Sequence, residues 1–312
     1  MEATKTAKPV KKQKAVKGAS LHRQNRQSYL AHYAMLSPFL LAFILFTILP
    51  ILASILLSFT DFNMVQLPNL VGLDNYIRLL FQDDVYMIAL KNTLLLALVT
   101  GPIGYILSFV VAWLINELGH KLRVVFTFFM YTPAMCAAAT TIWTYIFSAD
   151  SQGFLNDILL KLGLITAPIS WLTDPAYNMG VVMVITIWGS FGTGFLSFVS
   201  GLQSLDRTYF EAAAIDGLRN RWQELYYVTF PQMREFLLFG AVQSVSSAFS
   251  IAPIITGNPS TNYSTHTLVL HILDHANIRY EMGYASAAAV VLFLLMILAW
   301  TATNKLLTKV SA

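Results

Sequence analysis

Long apolar runs separated by short polar stretches dominate the chain after a polar beginning. In the hydrocarbon core of a bilayer, backbone groups can pair only within the protein, so a spanning helix needs about 20 apolar residues. Six runs meet this requirement, at about residues 33–60, 93–115, 124–148, 179–205, 236–256 and 282–304. The pattern therefore predicts an all-α integral membrane bundle of six transmembrane helices.

Composition supports this prediction. Of the 312 residues, 56% are hydrophobic and 12% are charged, and the mean hydropathy is +0.60. Soluble globular chains carry about 25% charged residues. The single cysteine, Cys136, lies in an apolar run and allows no intrachain disulfide.

The distribution of lysine and arginine predicts the orientation. Eight of the 20 lie in residues 1–32, which hold a single acidic residue, Glu2. If this tail is inside the cell, 16 of the 20 fall on the inner side, as the positive-inside rule requires. We expect a disordered basic cytoplasmic tail (1–32), a membrane domain (33–306) and a cytoplasmic C-terminal end (307–312), in a multi-pass protein of the plasma or inner membrane.

The predicted spans contain no charged residue well inside them, but they carry hydroxyl and amide groups on single helical faces. Ionisable groups at mid-membrane are typical of ion-coupled transporters and pumps. A wall of hydroxyls and amides instead favours an uncharged polyhydroxy solute. The residues predicted to line the solute pathway are Thr186, Ser190, Thr193, Gln243 and Ser247.

Two further features bear on this interpretation. Small hydroxyl residues are also the ordinary packing contacts between membrane helices, so packing remains an alternative for each of them. Three aromatic residues in or near these spans have rings that could stack on a sugar: Trp143, Tyr145 and Trp188.

The polar loop at 204–235 predicts a helix, a sharp turn and a second helix. Asp206 can cap the first helix, which runs through three alanines, and Gly217 can adopt the left-handed conformation that ends it. We expect the second short helix to stop before Pro231 and Glu211 to lie on the surface.

At these residues the chain resembles the permeases of ATP-binding-cassette (ABC) importers. That family's signature is Glu-Ala-Ala, three residues, Gly, nine residues, Ile, one residue and Leu-Pro. Here Glu211-Ala212-Ala213 and Gly217 match, whereas ten residues separate Gly217 from Val228, and Phe230 precedes Pro231. Segments similar to the carbohydrate-uptake branch are Leu36–Phe39, Ser58–Asp61, Val71–Tyr76, Lys91–Thr93, Gly153–Asn156 and Gly283–Ala287.

The resemblance implies a type I importer permease and a mechanism. In that family the loop docks on a separate ATPase, so Glu211, Ala212, Ala213 and Gly217 are expected to couple this chain to it. The implied partners are a second permease, an ABC ATPase dimer, an extracytoplasmic solute-binding protein and membrane lipid, with no nucleic acid. The sequence has no G-x-x-x-x-G-K-[ST] phosphate loop, so ATP and Mg²⁺ are expected on the ATPase and no cofactor on this chain.

The preferred function is therefore the permease subunit of a sugar or oligosaccharide importer, and not an enzyme. An importer of another solute, such as a polyol phosphate, remains an alternative. A histidine cluster supports a second alternative, a membrane-embedded sensor or metalloenzyme. His271, Asp274 and His275 fall on one helical face, with His266 and Glu281 nearby. We expect this face to be a surface of the last outer loop, with no catalytic or metal site.

Overall fold

The structure, a computed structural model, describes residue 33 and residues 35–135, 139–257 and 259–310. These residues form two compact units that meet between Ala53 and Ser54. In the first unit, residues 35–53 are helical throughout and include a π-helical turn at Ile44–Ile48. The predicted tail, residues 1–32, lies outside the described residues, so the three-part division of the chain stays a prediction.

The described part of the chain is helical and forms no strand beyond a single bridge between Thr60 and Leu70. The predicted all-α class is confirmed. The α-helices are α1 Met35–Leu57, α2 Asp74–Phe81, α3 Asp84–Asn116, α4 His120–Met135, α5 Ala139–Ile146, α6 Phe154–Lys161, α7 Asn178–Trp188, α8 Thr193–Ser204, α9 Arg207–Ile215, α10 Arg221–Glu224, α11 Arg234–Phe249, α12 Leu268–Asn277 and α13 Met282–Val310.

Five segments are long and apolar enough to cross a membrane, and they correspond to five of the six predicted spans. They are Met35–Leu57, Asp84–Asn116, Asn178–Ser204, Arg234–Thr256 and Met282–Thr308. The remaining predicted span, 124–148, is occupied by α4 and α5, and residues 136–138 between them lie outside the described residues. The count of six therefore stays a prediction, although the region is helical on both sides of that gap.

In the second unit, α3, α8 and α11 pack against one another, and α13 packs against α11 and α12. Two apolar clusters form along α3. One contains Tyr86 and Ala89 near its start, with buried residues of α12 and α13. The other contains Phe109 and Ala112 near its end, with buried aromatic residues of α8. The stretch of α3 between the two clusters carries small and polar residues.

The fourth predicted span is broken near its middle. α7 ends at Trp188, α8 begins at Thr193, and two glycines, Gly189 and Gly192, flank the break. Irregular backbone at membrane depth leaves amide and carbonyl groups without helical partners. It is tolerated where it is buried in protein or lines a water-filled cavity. The break therefore indicates where such a cavity should lie.

Close packing between α8 and α11 depends on a glycine. A Cβ atom added at Gly240 of α11 would lie 2.3 Å from Cζ of Phe198, closer than any real contact. The Phe198 ring is only 1% exposed and is fixed by edge contacts with Tyr105 and Phe109 of α3. A side chain at position 240 would therefore push apart the three helices at the centre of the unit.

Gly240→Ala should lower the free energy of unfolding by about 1–3 kcal/mol, the usual cost of overpacking a well-filled core. Gly180→Ala is the matched control, because nothing lies within 4 Å of a Cβ at that helical position. Removing a helical glycine there should be neutral or stabilising by up to about 1 kcal/mol. Thermal unfolding in detergent measures both variants. A Gly240→Ala midpoint at or above that of the wild type would contradict the packing argument.

Candidate solute pathway and coupling loop

A cavity of about 470 Å³ opens between α3, the broken α7–α8 segment and α11. Its wall includes the break itself, at Gly189, Ser190 and Gly192. All five residues predicted to line a pathway contribute to it: Thr186, Ser190, Thr193, Gln243 and Ser247. Among the described residues that line this cavity, none carries a charge. The structure thus brings together on one wall residues from two spans that are separate in sequence.

The five side chains differ in how much hydrogen-bonding capacity they leave for a solute. The hydroxyls of Thr186, Ser190 and Ser247 donate to the backbone carbonyls of Val182, Ile187 and Ser244, at 2.8, 2.6 and 3.1 Å. Each oxygen retains lone pairs and can still accept a hydrogen bond. Ser190 also packs against α3, with its Oγ 3.3 Å from that of Ser108. Ser190 therefore both packs against α3 and lines the cavity.

Gln243 and Thr193 are different. In the described part of the chain, neither the Gln243 amide nor the Thr193 hydroxyl has a hydrogen-bond partner, and both lie on the cavity wall. A primary amide supplies two donors and one acceptor oxygen in one planar group, which suits vicinal hydroxyls. Gln243 is half-buried, so its orientation is restricted by its neighbours. It is the strongest single candidate for contact with a solute.

The sequence analysis missed the contribution of α3. Thr100, Gly104 and Ser108 line the cavity, as does Tyr105. The first three recur every four residues along the second predicted span, which places them on one helical face. This small-polar stripe was the signal that could have revealed them. Ser244 of α11 also reaches α3, donating to the Gly101 carbonyl at 2.9 Å.

The aromatic residues considered for sugar stacking lie elsewhere. Trp143 and Trp188 contact each other edge to face, with ring centroids 5.1 Å apart, and Trp143 stacks on Phe147. Tyr145 is exposed. None of the three lines the cavity, so the geometry does not support stacking of a sugar on these three rings.

The first helix of the 204–235 loop, α9, has the predicted ends. The Asp206 carboxylate accepts from the Thr208 amide at 3.0 Å and caps its start. Gly217 has φ +94°, and the amides of Gly217 and Leu218 donate to the carbonyls of Ala214 and Ala213. This is a Schellman motif, which needs a residue that tolerates a positive φ after the end of the helix. The helix is thus short, rigidly terminated and followed by a sharp turn.

The four matched loop residues are divided between surface and interior. Glu211, Ala212 and Gly217 are exposed, whereas Ala213 is buried against the rest of the protein. Ile215, which the sequence analysis did not single out, is 86% exposed. The exposed surface of α9 therefore carries the carboxylate of Glu211, the small side chain of Ala212 and the apolar side chain of Ile215.

The second half of the loop differs from the prediction. α10 continues into a π-helical turn at Leu225–Thr229 and a further helical turn at Phe230–Gln232, so the helix does not stop before Pro231. Pro231 lies within Phe230–Gln232. A π-turn closes on five residues instead of four. It therefore accommodates the one additional residue between Gly217 and Val228.

The loop is fastened to the end of α3. Arg221 forms an ion pair with Glu117 at 3.2 Å, and the rings of Trp222 and Trp113 lie 5.4 Å apart. Leu225 belongs to the apolar cluster around Phe109. Displacement of the loop would therefore act directly on α3, the helix that also lines the cavity.

Comparison with known proteins agrees with this geometry. Residues 102–309 match the family described as the binding-protein-dependent transport system inner membrane component. The chain is 31% identical over 281 residues to the probable ABC transporter permease protein YesP of Bacillus subtilis (strain 168), covering 88% of this chain and 89% of that one. It is 28% identical to the lactose transport system permease protein LacF of Rhizobium radiobacter, covering 81% and 85%.

A solved structure shows the same fold. A chain from the crystal structure of a bacterial ABC transporter involved in the import of the acidic polysaccharide alginate superposes with a TM-score of 0.75. It is 21% identical in sequence, and the superposition covers 94% of this chain and 100% of that one.

The family match and the relatives agree with the helical bundle and with the helix-turn-helix loop. The chain is a membrane protein and a transport subunit, not an enzyme, and it belongs to the binding-protein-dependent transport system inner membrane components, the permease subunits of ABC importers.

Proposed function

We propose that this permease passes a neutral sugar or oligosaccharide through the cavity between α3, α7–α8 and α11. The observation that carries the proposal is the composition of the cavity wall. It is rich in hydroxyls and glycines, includes one amide beside Phe195, Phe198 and Ala248, and has no charged residue among the described lining. Its volume of about 470 Å³ falls within the roughly 300–1,000 Å³ typical of small-molecule sites. Curated relatives include permeases named for lactose and for arabinooligosaccharides.

The chemistry of the wall favours hydroxyl groups over phosphate. Unpaired Gln243 and Thr193 supply donors and acceptors, while Ser190 and Ser247 can accept from sugar hydroxyls. A polyol phosphate entering this space would lose its hydration without meeting a cation, which is costly in a region of low dielectric constant. A neutral polyhydroxy solute meets no such penalty.

The outer surface of α9 is the proposed docking element for the ATPase. Glu211 and Ala212 offer a carboxylate beside a small residue that permits close approach, and exposed Ile215 adds apolar area that a partner would cover. ATP and Mg²⁺ bind to that partner and not to this chain. Closure of the ATPase pair pulls on the loop, and the contacts with Glu117 and Trp113 transmit the movement to α3.

The assembly contains a second permease, most simply a different chain, which completes the pathway, together with an ATPase dimer and an extracytoplasmic solute-binding protein. Lysine and arginine predominate on the side of the tail, which supports cytoplasmic termini. The 204–235 loop joins spans four and five and lies at the end of the bundle where α3 finishes, the same side as the C-terminus. That side faces the ATPase.

Glu211→Lys should abolish binding of the ATPase, because reversing the charge of a docked carboxylate places like charges together at a cost of several kcal/mol. Recovery of the ATPase with the tagged permease from detergent extracts should fall by an order of magnitude or more, on the order of what that cost implies. The Glu235→Lys variant is the control, since Glu235 is exposed in the same loop but lies outside α9.

Both variants change the net charge by the same amount. A difference in ATPase recovery between them therefore depends on where the substitution lies. Equal recovery of the ATPase with wild type and Glu211→Lys would remove α9 from the coupling mechanism.

Gln243→Leu should reduce sugar uptake roughly tenfold, because an apolar side chain of similar size removes the hydrogen bonds of the amide from a largely dehydrated wall. Uptake of labelled disaccharides and oligosaccharides is measured in cells that lack the native gene and express each variant. Gln203→Leu is the matched control: Gln203 lies on α8 but lines a different surface pocket, beside α4. Uptake by Gln243→Leu equal to that of Gln203→Leu would exclude a solute contact at Gln243.

A further inference from the structure

A second cluster of chemically active side chains lies at the end of the bundle where α3 and α13 begin, away from the coupling loop. The sequence pattern grouped His271, Asp274 and His275. In the structure, however, the carboxylate beside the two histidines is not that of Asp274. Asp274 binds the Arg279 guanidinium at 2.9 Å and lines a small cavity together with His266 and His271. Asp83, which precedes α3 by one residue, takes its place beside the two histidines.

The three side chains converge closely enough for one ion. One ligand atom each from Asp83, His271 and His275 lies within 4.8 Å of the other two. Nε2 of His271 is 3.5 Å from Oδ2 of Asp83. Two donor atoms bonded to a tetrahedral zinc ion at about 2.0–2.2 Å lie roughly 3.3–3.6 Å from each other. The observed separation therefore fits without rearrangement of these two residues.

An unpaired buried nitrogen provides independent evidence. His275 is 1% exposed, and its Nδ1 lies 2.8 Å from Oε2 of Glu281. A carboxylate only accepts, so Nδ1 carries the proton and Nε2 carries the lone pair. That Nε2 is buried and has no hydrogen-bond partner in the described structure. Leaving such an acceptor unsatisfied costs about 1–3 kcal/mol, which a bound cation would recover.

The surroundings of His275 are those of a metal-ligating histidine. A carboxylate on the far nitrogen fixes the tautomer and the orientation of the ring, as in carboxylate–histidine–zinc arrangements. Glu281 is itself held by Arg78 through two bonds of 3.2 and 3.0 Å.

Charge also favours a cation. Asp83 and Glu281 carry two negative charges against the one positive charge of Arg78. The Tyr284 hydroxyl donates to Asp83 and lies 3.4 Å from Nε2 of His271, so it adjoins both residues.

A small cavity adjoins the cluster. Its volume is about 70 Å³, and His266, His271, Asp274 and the partly exposed Arg279 lie in its wall. The ligands would come from two separate parts of the chain, Asp83 at the start of α3 and the two histidines on α12. An ion bound here would therefore connect α12 to the helix that lines the solute cavity.

We propose that Asp83, His271 and His275 bind one Zn²⁺ ion, with Glu281 as the carboxylate that orients His275. The two imidazoles and one carboxylate form a donor set that suits zinc, and a fourth position remains for water or for the Tyr284 hydroxyl. The residues of this site line neither the solute cavity nor the coupling loop.

The test uses the full-length chain, purified in detergent on a streptavidin-binding tag and stripped of metal with EDTA. Isothermal titration with ZnCl₂ should show one saturable equivalent per chain. Asp83→Asn and His275→Gln should each abolish that equivalent. Glu281→Gln should weaken affinity roughly 10- to 100-fold, the usual effect of losing the carboxylate behind a ligating histidine.

Two controls separate this site from other zinc-binding groups. Asp274→Asn removes the carboxylate that the sequence pattern indicated, and His120→Asn removes a histidine at the opposite end of α3. Both should bind zinc as the wild type does. Absence of a saturable equivalent in the wild type would overturn the proposal. So would binding that is unchanged in Asp83→Asn and His275→Gln.

A measurement of stability guards against misfolded variants. In the wild type, ZnCl₂ should raise the thermal unfolding midpoint, because a ligand that binds only the folded state stabilises it. Asp83→Asn should lose that increase while still unfolding cooperatively. If these groups form only a polar network, the variants should have lower midpoints and the wild type should not respond to zinc, which would contradict the proposal.

Discussion

The requirement that polar groups in a membrane find partners within the protein governs the whole structure. A regular spanning helix satisfies its own backbone, so its exterior can be apolar on every side. The fourth span departs from regularity at Gly189–Gly192, and the departure coincides with the cavity. Hydroxyls on the wall mostly donate to carbonyls of their own helix, which keeps them satisfied when no solute is present.

The same requirement explains the loops at the opposite end from the coupling loop. Buried amides hold them in place: Asn75 donates to the carbonyls of Ser58 and Thr60, and Asn92 to those of Tyr263 and His266. Asn156 donates to the Ile169 carbonyl and accepts from the Trp171 indole. These three asparagines belong to segments that resemble the carbohydrate-uptake permeases. Their role in the fold is to pair with backbone groups that no regular helix satisfies.

α3 connects the three candidate sites. Its start lies beside the Asp83 cluster, its middle lines the cavity, and its end contacts the coupling loop through Trp113. The apolar clusters around Ala89 and Phe109 fix it on either side of the cavity. This single helix of 33 residues, which contains Pro102 at the level of the cavity, therefore contacts all three regions.

By itself the sequence determined the class of the protein, five of the six predicted spans and the ends of α9. These follow from local rules: apolar length, the cap at Asp206 and the positive φ of Gly217. It also predicted that Ser190 and Gln243 line a common pathway, and both residues line the cavity. Only the tertiary structure showed that α3 completes the cavity wall and that the π-turn at Leu225–Thr229 absorbs an additional residue.

Only the tertiary structure showed that the carboxylate beside His271 and His275 is Asp83 and not Asp274. Helical spacing describes neighbours on one helix, whereas Asp83 lies almost two hundred residues before the histidines it meets. Which distant groups come together depends on how whole helices pack. That packing is the sum of many weak contacts, none of which is visible in a local pattern.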